Sequence, residues 1–463
     1  MKSYLPLLEK ALEIVAAKGT YFADIFYEER RSSIIFYDNK VVEKALDGLD
    51  CGVGIRIVKD NKSTYGYTNE ITKEGILTLA HSVLELARVN GIGNKSSLLK
   101  GSRSRPTSRN VKSSPSFERS VEIVTHLDKT ARSAGREIRQ VSILYRDAFR
   151  KFIVLNSLGE NAFEEYEKNF ISINIVASRD ERVSTASESL GSQVSKRKIE
   201  IASLDKKALD AANRAILLID AKPAPSGVMP VVIAAGACGV MIHEAVGHGL
   251  EGDTVLKGSS VYKGKLGESV ASKLVSVVDD PTLQGKYGSF NVDDEGSQAR
   301  RNLLIENGVL KSYMHSKESA MAFGVQPSGN GRRESYRFRP VVRMTNTFIL
   351  PGSGDPDEIL RSTPEGLFIK KMGGGQVNTV TGEFVFEAQE AYTIRNGLLD
   401  ALVKNATIAG NGPSILYKID AVGNDLDFSV GTCGKEGQMV PVSNGGPTVR
   451  ISEMVVGGTK VSK

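Results

Sequence analysis

Apolar residues recur at Leu5, Leu8, Leu12 and Val15 with the spacing of one helix face, and Gly19 ends the run. The period then switches to two. Short alternating segments at 23–28, 33–37, 41–46, 52–58 and 63–67 are joined by the turn pairs Asp38-Asn39 and Asp60-Asn61, which predicts an antiparallel meander. A second helix over 72–89, with Thr72 as its N-cap, closes this unit. The same order then returns: a helix at 120–133, strands near 139–145, 151–156, 161–177 and 181–188, and a helix from 200 to 220. The shared order of helix, meander and helix suggests an internal duplication. Two prolines and a glycine in 221–227 forbid helix and mark a boundary. Beyond it lie an apolar strand at 229–235, a short histidine-bearing helix and a glycine-rich remainder, whose clearest strands are 341–350, 383–395 and 414–422. The pattern predicts an α+β fold in which a β-rich C-terminal domain carries the helix. The expected divisions are 1–92, a linker or loop at 93–118, 119–221 and 222–463.

Length and composition narrow the class without naming a function. A chain of 463 residues is too long for one ordinary core, and a formal charge of +6 spread over it argues for no nucleic-acid role. Residues 94–116 hold six basic side chains and no acid, yet no aromatic precedes Phe117, so bases would have nothing to stack on. A solvated linker is the better reading there. Cys51, Cys238 and Cys433 are odd in number and far apart, which suits a reducing compartment. Glu9, Lys10 and Glu13 interrupt the first apolar pattern, making it an amphipathic helix and not a signal peptide. No apolar run approaches the ~20 residues of a membrane span. A cytoplasmic protein is expected.

Chemistry concentrates in the segment His243-Glu-Ala-Val-Gly-His248, which places two of the five histidines beside a glutamate. Neutral imidazoles bind a divalent metal, and a carboxylate next to one ligand can take the proton of a polarised water. His243 and His248 would be the ligands, and Glu244 the general base. Histidines four apart sit roughly 40° from each other around a helix, but five apart they are about 140° apart, too far for one ion. The turn must therefore widen, as a π-type turn does. Gly247, just before His248, would ease the distortion. Two histidines and a water leave a catalytic zinc one protein ligand short. Candidates are Cys433, Cys238, His315, Glu251 and Asp253. Cys433 is favoured, because glycines flank its Gly431-Thr-Cys-Gly434 segment and Lys435 would stabilise a thiolate. Cys238 lies in an apolar run where free cysteines pack inertly, and His315 reads as a surface residue.

Two further stretches stand out. Gly329 to Tyr336 is basic and turn-rich, suited to holding a carboxylate or peptide carbonyls through Arg332 and Arg333. The glycines of Lys371-Met-Gly-Gly-Gly-Gln376 lack the Lys-Ser/Thr end of a phosphate loop. They fit a bulge, or an edge at Gly374 and Gly375 left bare for an extended peptide to pair against.

Taken together, His243 to Asp253, Asp293-Asp-Glu-Gly296, Gly329 to Tyr336, Arg343-Met-Thr-Asn-Thr347, Gly373-Gly-Gly375 and Gly431 to Gly434 resemble the TldD/PmbA family of metallopeptidases over essentially the whole chain. The resemblance implies a zinc peptidase with His243, His248 and Cys433 on the metal and Glu244 as base. It also implies substrates that are unfolded peptides or small proteins, and a two-subunit assembly, either a homodimer or a heterodimer with a PmbA/TldE-like relative. Cys238 and the basic insert at 101–114 depart from the family pattern. The rival expectation is a non-catalytic subunit that binds peptides or a regulatory protein without cutting. The intact His, Glu and Cys set argues against it, since binding alone needs none of them.

Overall fold

Two meanders, each preceded and followed by a helix, build the N-terminal half. The computed structural model describes residues 2–16, 22–90, 117–194 and 200–458; the expected stop at Gly19 and the basic stretch 94–116 lie outside them. Helix α1 (Leu5–Ala16) buries Leu8, Ala11 and Val15, while Leu5 and Leu12 are only half-buried. Strands β1 (Phe22–Asp38), β2 (Val41–Lys59) and β3 (Lys62–Thr68) follow, then helix α2 (Lys73–Val89), whose N-cap Thr72 hydroxyl accepts the Gly75 amide at 3.0 Å. The second unit repeats the order with α3 (Phe117–Arg132), β4 (Ile138–Asn156), β5 (Asn161–Arg179), β6 (Arg182–Ser192) and α4 (Ile201–Leu218). Positive φ at Asn39 and Lys40, and again at Asp60 and Asn61, makes the tight turns that two-residue hairpins require.

The strands are fewer and longer than the alternation predicts. Segments 23–28 and 33–37 are one strand of 17 residues, 41–46 and 52–58 are one of 19, and 139–145 and 151–156 another of 19. Their charged middles break the hydrophobic period but not the backbone ladder. Arg31 and Asp47 face each other across β1 and β2 as an exposed pair, while Glu28 and Arg150 are buried partners on β1 and β4. All six strands form one antiparallel sheet in the order β3-β2-β1-β4-β5-β6, so the two meanders join edge to edge through β1 and β4. Helices α1 and α2 cover one cluster, with Ile25, Val53 and Ile55. Helices α3 and α4 cover the other, with Ile143, Ile171 and Ile173.

The C-terminal half holds two larger sheets around the main core. Strands β7 (Lys222–Pro223) and β8 (Gly227–Ile233) belong to an eight-stranded sheet with Glu365–Val377 and Glu383–Arg395. A six-stranded sheet includes Val277–Asp279, Asn346–Ile349, Gln438–Gly446 and Asp427–Lys435. The short helix α5 (Ala237–Ile242) is buried in this core. It lies so close to Gln438–Gly446 that a Cβ on Gly239 would meet the Asn444 backbone at 2.4 Å. The expected strand 414–422 is instead a helix, Gly412–Tyr417, followed by strand Ile419–Val422. Asn411 caps that helix and Pro413 sits in its first turn, start signals that outweigh the apolar alternation. No helix among the described residues is long and apolar enough to cross a membrane.

Buried ion pairs tie the halves together. Arg150 bridges Glu28 and Asp294, and Arg56 bridges Asp24 and Glu295, so the acids of the Asp293-Asp-Glu-Gly296 stretch dock on the N-terminal sheet. A second junction joins Glu188 on β6 to Arg214, Lys207 and Lys371 at 2.8, 3.0 and 3.0 Å. Burial alone would raise the Glu188 carboxyl, but these three cations overcome it and hold it at about 2. Because the folded value lies below the unfolded one of 4.5, the group contributes stability above that value and loses it as pH falls towards 2. The urea midpoint of the native chain should therefore fall more steeply between pH 4.5 and 2 than that of Glu188→Gln. Parallel acid limbs would refute the assignment.

Candidate metal centre

Strand β8 leads through Gly236, at φ 74°, into α5, and the chain then widens. Residues His243–Gly247 form a π turn in which the His248 amide donates to the His243 carbonyl five residues back. The widened turn brings the imidazoles onto one side, as the five-residue spacing requires. Their ring centroids are 5.1 Å apart at an interplanar angle of 84°. Gly247 has ordinary helical angles, φ −56° and ψ −52°, so its role is not conformational freedom. A Cβ there would meet the Met344 sulfur at 1.9 Å, and the missing side chain makes room for that contact.

Cys433, on strand Asp427–Lys435, completes the cluster. Its Sγ lies 3.2 Å from His243 Nε2 and 3.5 Å from His248 Nε2, and the three donor atoms fall within 4.8 Å of one another. Two ligands at zinc–nitrogen and zinc–sulfur bond lengths on a tetrahedron stand about 3.5 Å apart, so the set fits one ion with a fourth position open. The second shell supports the fit. Glu251 accepts from His248 Nδ1 at 3.1 Å, which leaves Nε2 to face the cysteine. Burial would raise Glu251, but the charges of Lys435 and His248 outweigh it and hold the carboxyl at about 2. Lys435 contacts Glu251 at 3.0 Å and Asp253 at 2.6 Å. Burial likewise opposes the Cys433 thiolate, yet the two histidines pull the thiol well below its usual range. Arg343 grips the Cys433 carbonyl and donates to the Gln438 carbonyl, fixing the strand from behind. From sequence Glu251 is one of several candidate ligands and Lys435 a thiolate stabiliser; the His248-to-Glu251 spacing of three is the available sign of the orienting role. Arg343 left no such sign.

The remaining candidates fall elsewhere. Cys238 is buried in packing, its Sγ 3.1 Å from the Pro447 carbonyl, and burial pushes its thiol upward. His315 is buried and not at the surface, with Nδ1 3.2 Å from the Ser319 hydroxyl, and burial lowers it to about 4. Glu244 is on the π turn with 27% of its side chain exposed and an oxygen 3.8 Å from His248 Nε2. Arg332 and Arg333 are buried, and both line a cavity that includes Thr432 but none of the cluster. Since neighbouring strand residues point to opposite faces, that cavity lies behind the strand that carries Cys433. Arg332 spends its guanidinium on the Met344 and Pro441 carbonyls at 2.5 and 2.8 Å.

Gly374 and Gly375 lie on the bulged end of Glu365–Val377. That strand pairs with β8 only from Leu367 to Ile369, and β8 then turns away into α5. From Lys371 onward no pairing on that edge is found among the described residues. A cleft of about 590 Å³ opens beside it, lined by Val240, Lys371, Met372, Gly373 and Val430. Val240 and Glu244, four apart, share one face of the helical segment.

The two histidines and the cysteine form a donor set that could hold a metal ion, beside a partly exposed carboxylate. Models of PmbA/TldA metallopeptidase domain 1, central domain and C-terminal domain match residues 23–87, 112–219 and 226–458, and the chain belongs to this PmbA/TldD family. It is 34% identical to the metalloprotease TldD homolog of Haemophilus influenzae, over 96% of this chain and 95% of that one. Among solved structures it resembles a protein of Thermotoga maritima described as a modulator of a DNA gyrase, with TM-score 0.79 and 24% identity over 98% of this chain and all of the other. It also resembles TldE from Thermococcus kodakarensis, with TM-score 0.74 and 18% identity over 99% of this chain and all of the other.

Proposed function

We propose that this chain is a zinc-dependent peptidase that hydrolyses peptide bonds in unfolded peptides or small proteins. The observation that carries the reading is the convergence of His243, His248 and Cys433 with Glu244 at their open side. A bound zinc would polarise the scissile carbonyl and acidify a water. Glu244 takes the proton from the attacking water and returns it to the leaving amine. An extended substrate adds its backbone to the bare edge at Gly374 and Gly375, and the cleft under Val240 leads it towards Glu244. An unfolded chain suits such an edge, because it has free amides and carbonyls to pair. Arg332 and Arg333 support the site structurally from behind the cysteine strand, Arg332 through the Met344 and Pro441 carbonyls and Arg333 through the Asp294 carbonyl. Residues 1–92 and 119–221 are proposed as two copies of one unit, with 222–463 as the catalytic domain. The protein works in the cytoplasm as a two-subunit assembly, with itself or with a TldE-like relative; the three free cysteines and the family resemblance support this.

Digestion of a peptide library by the purified chain, alone and with any co-purifying subunit, tests the reading with and without chelator. Cleavage should require metal. Cys433→Ser should lose bound zinc and all cleavage, whereas Cys238→Ser should keep both. Zinc retained in full by Cys433→Ser would overturn the ligand set, and chelator-insensitive cleavage would overturn the mechanism.

A further inference from the structure

The cavity behind the cysteine strand is lined by more basic than acidic side chains. It has a volume of about 170 Å³ and lies between β1, β4 and β5 of the N-terminal sheet and the segments around Asp294, Arg332 and Pro441. Lys168 is its clearest anomaly. The side chain is only 5% exposed, and its Nζ has no hydrogen-bond partner, resting 4.8 Å from the centre of the Tyr166 ring. Burial and the neighbouring Arg332 and Arg150 push its pKa well down, so without an anion beside it the neutral amine is favoured over the ammonium. Arg332 is 4% exposed, donates to the Met344 and Pro441 carbonyls and lies 5.4 Å from the centre of the Phe290 ring. At the rim, Arg30 reaches only the Glu334 carbonyl, at 3.5 Å, and Arg146 is exposed. None of these four side chains has a carboxylate within 4 Å among the described residues, although Asp294 and Glu164 act on Lys168 from further off.

The acids of the wall are already engaged. Asp294 takes Arg150 at 2.9 Å and the Arg333 amide at 2.8 Å. Asp293 accepts the backbone amides of Glu295, Ser297 and Gly331. Glu334 accepts the Met439 amide at 2.7 Å.

We infer that this cavity is a binding site for a phosphate group, either free or carried by a small ester, held by Lys168 with the charges of Arg332, Arg30 and Arg146. A phosphate would favour return of the proton to Lys168, and its tetrahedral oxygens can accept from that ammonium and from the rim guanidiniums. The site is separate from the metal cluster and does not depend on peptidase activity.

Calorimetric titration of the full-length, metal-loaded protein with inorganic phosphate at constant ionic strength tests this. Saturable binding is expected, roughly tenfold or more weaker in Lys168→Met and in Arg146→Gln, with zinc content unchanged. Without phosphate, Lys168→Met should melt higher than the native chain, because it removes a buried amine that has no hydrogen-bond partner. Glycerol phosphate forms the second arm: tighter binding than inorganic phosphate identifies an ester as the occupant, and weaker binding identifies the free ion. Should Lys168→Met fail to fold, Arg146→Gln at the exposed rim decides. No saturable binding of either compound, or binding that these variants leave unchanged, would overturn the site.

Discussion

Glu244→Gln should lower the rate of peptide hydrolysis about a hundredfold to ten-thousandfold while leaving bound zinc untouched, which is the scale of a lost general base. Geometry separates the two effects. The Glu244 carboxylate is 3.8 Å from His248 Nε2 and belongs to neither the His–His–Cys cluster nor the Glu251–Lys435 shell behind it. An amide keeps the shape and one acceptor oxygen but takes no proton. Metal content measured beside steady-state rates checks both halves. Native rates in the metal-loaded variant would remove Glu244 from the mechanism, and loss of zinc would make it a ligand.

The π turn was legible because spacing is a hard constraint: histidines five apart share an ion only if the helix widens, and the His243–Gly247 turn does so. Cys433 could be favoured from local chemistry, since a flanked cysteine beside a lysine reads as a thiolate whatever the fold. Long-range partners were not legible in this way. Lys435 looked like the thiolate's counter-charge, yet its ammonium goes to Glu251 and Asp253, elements that only the tertiary fold brings to it. Arg332 and Arg333 read as a substrate clamp because a basic, turn-rich segment is exposed in most sequences. Here the segment is drawn inward by carbonyls and by the Asp293–Glu295 acids. The long strands were hidden for a related reason. Charged residues in the middle of β1 and β4 find buried partners on another element, so hydrophobic alternation fails while backbone pairing continues.

Those buried partners carry the second large effect. Arg56→Ala should destabilise the protein by about 3–5 kcal/mol, because it leaves the buried Glu295 carboxylate without its ion-pair partner and Asp24 with Arg333 alone. Arg56 and Asp24 are fully buried, and the guanidinium reaches Asp24 at 2.8 Å through Nε and Glu295 at 2.6 Å through Nη2. Glu295 in turn accepts the Lys317 amide at 2.6 Å and lies so close to Gly331 that a Cβ there would meet its oxygen at 2.1 Å. Gly331 and Arg332 pair with Val341 and Val342, and Met344, two residues further on, packs into the space left by Gly247 in the π turn. The break therefore reaches the metal cluster through four contiguous contacts. The urea midpoint should fall sharply, and zinc should be released at the same denaturant concentration as the first unfolding step. Arg31→Ala, which removes an exposed pair with Asp47, provides the control at about 0–1 kcal/mol. Equal midpoints for the two variants would show that the Asp24–Arg56–Glu295 bridge does not hold the halves together.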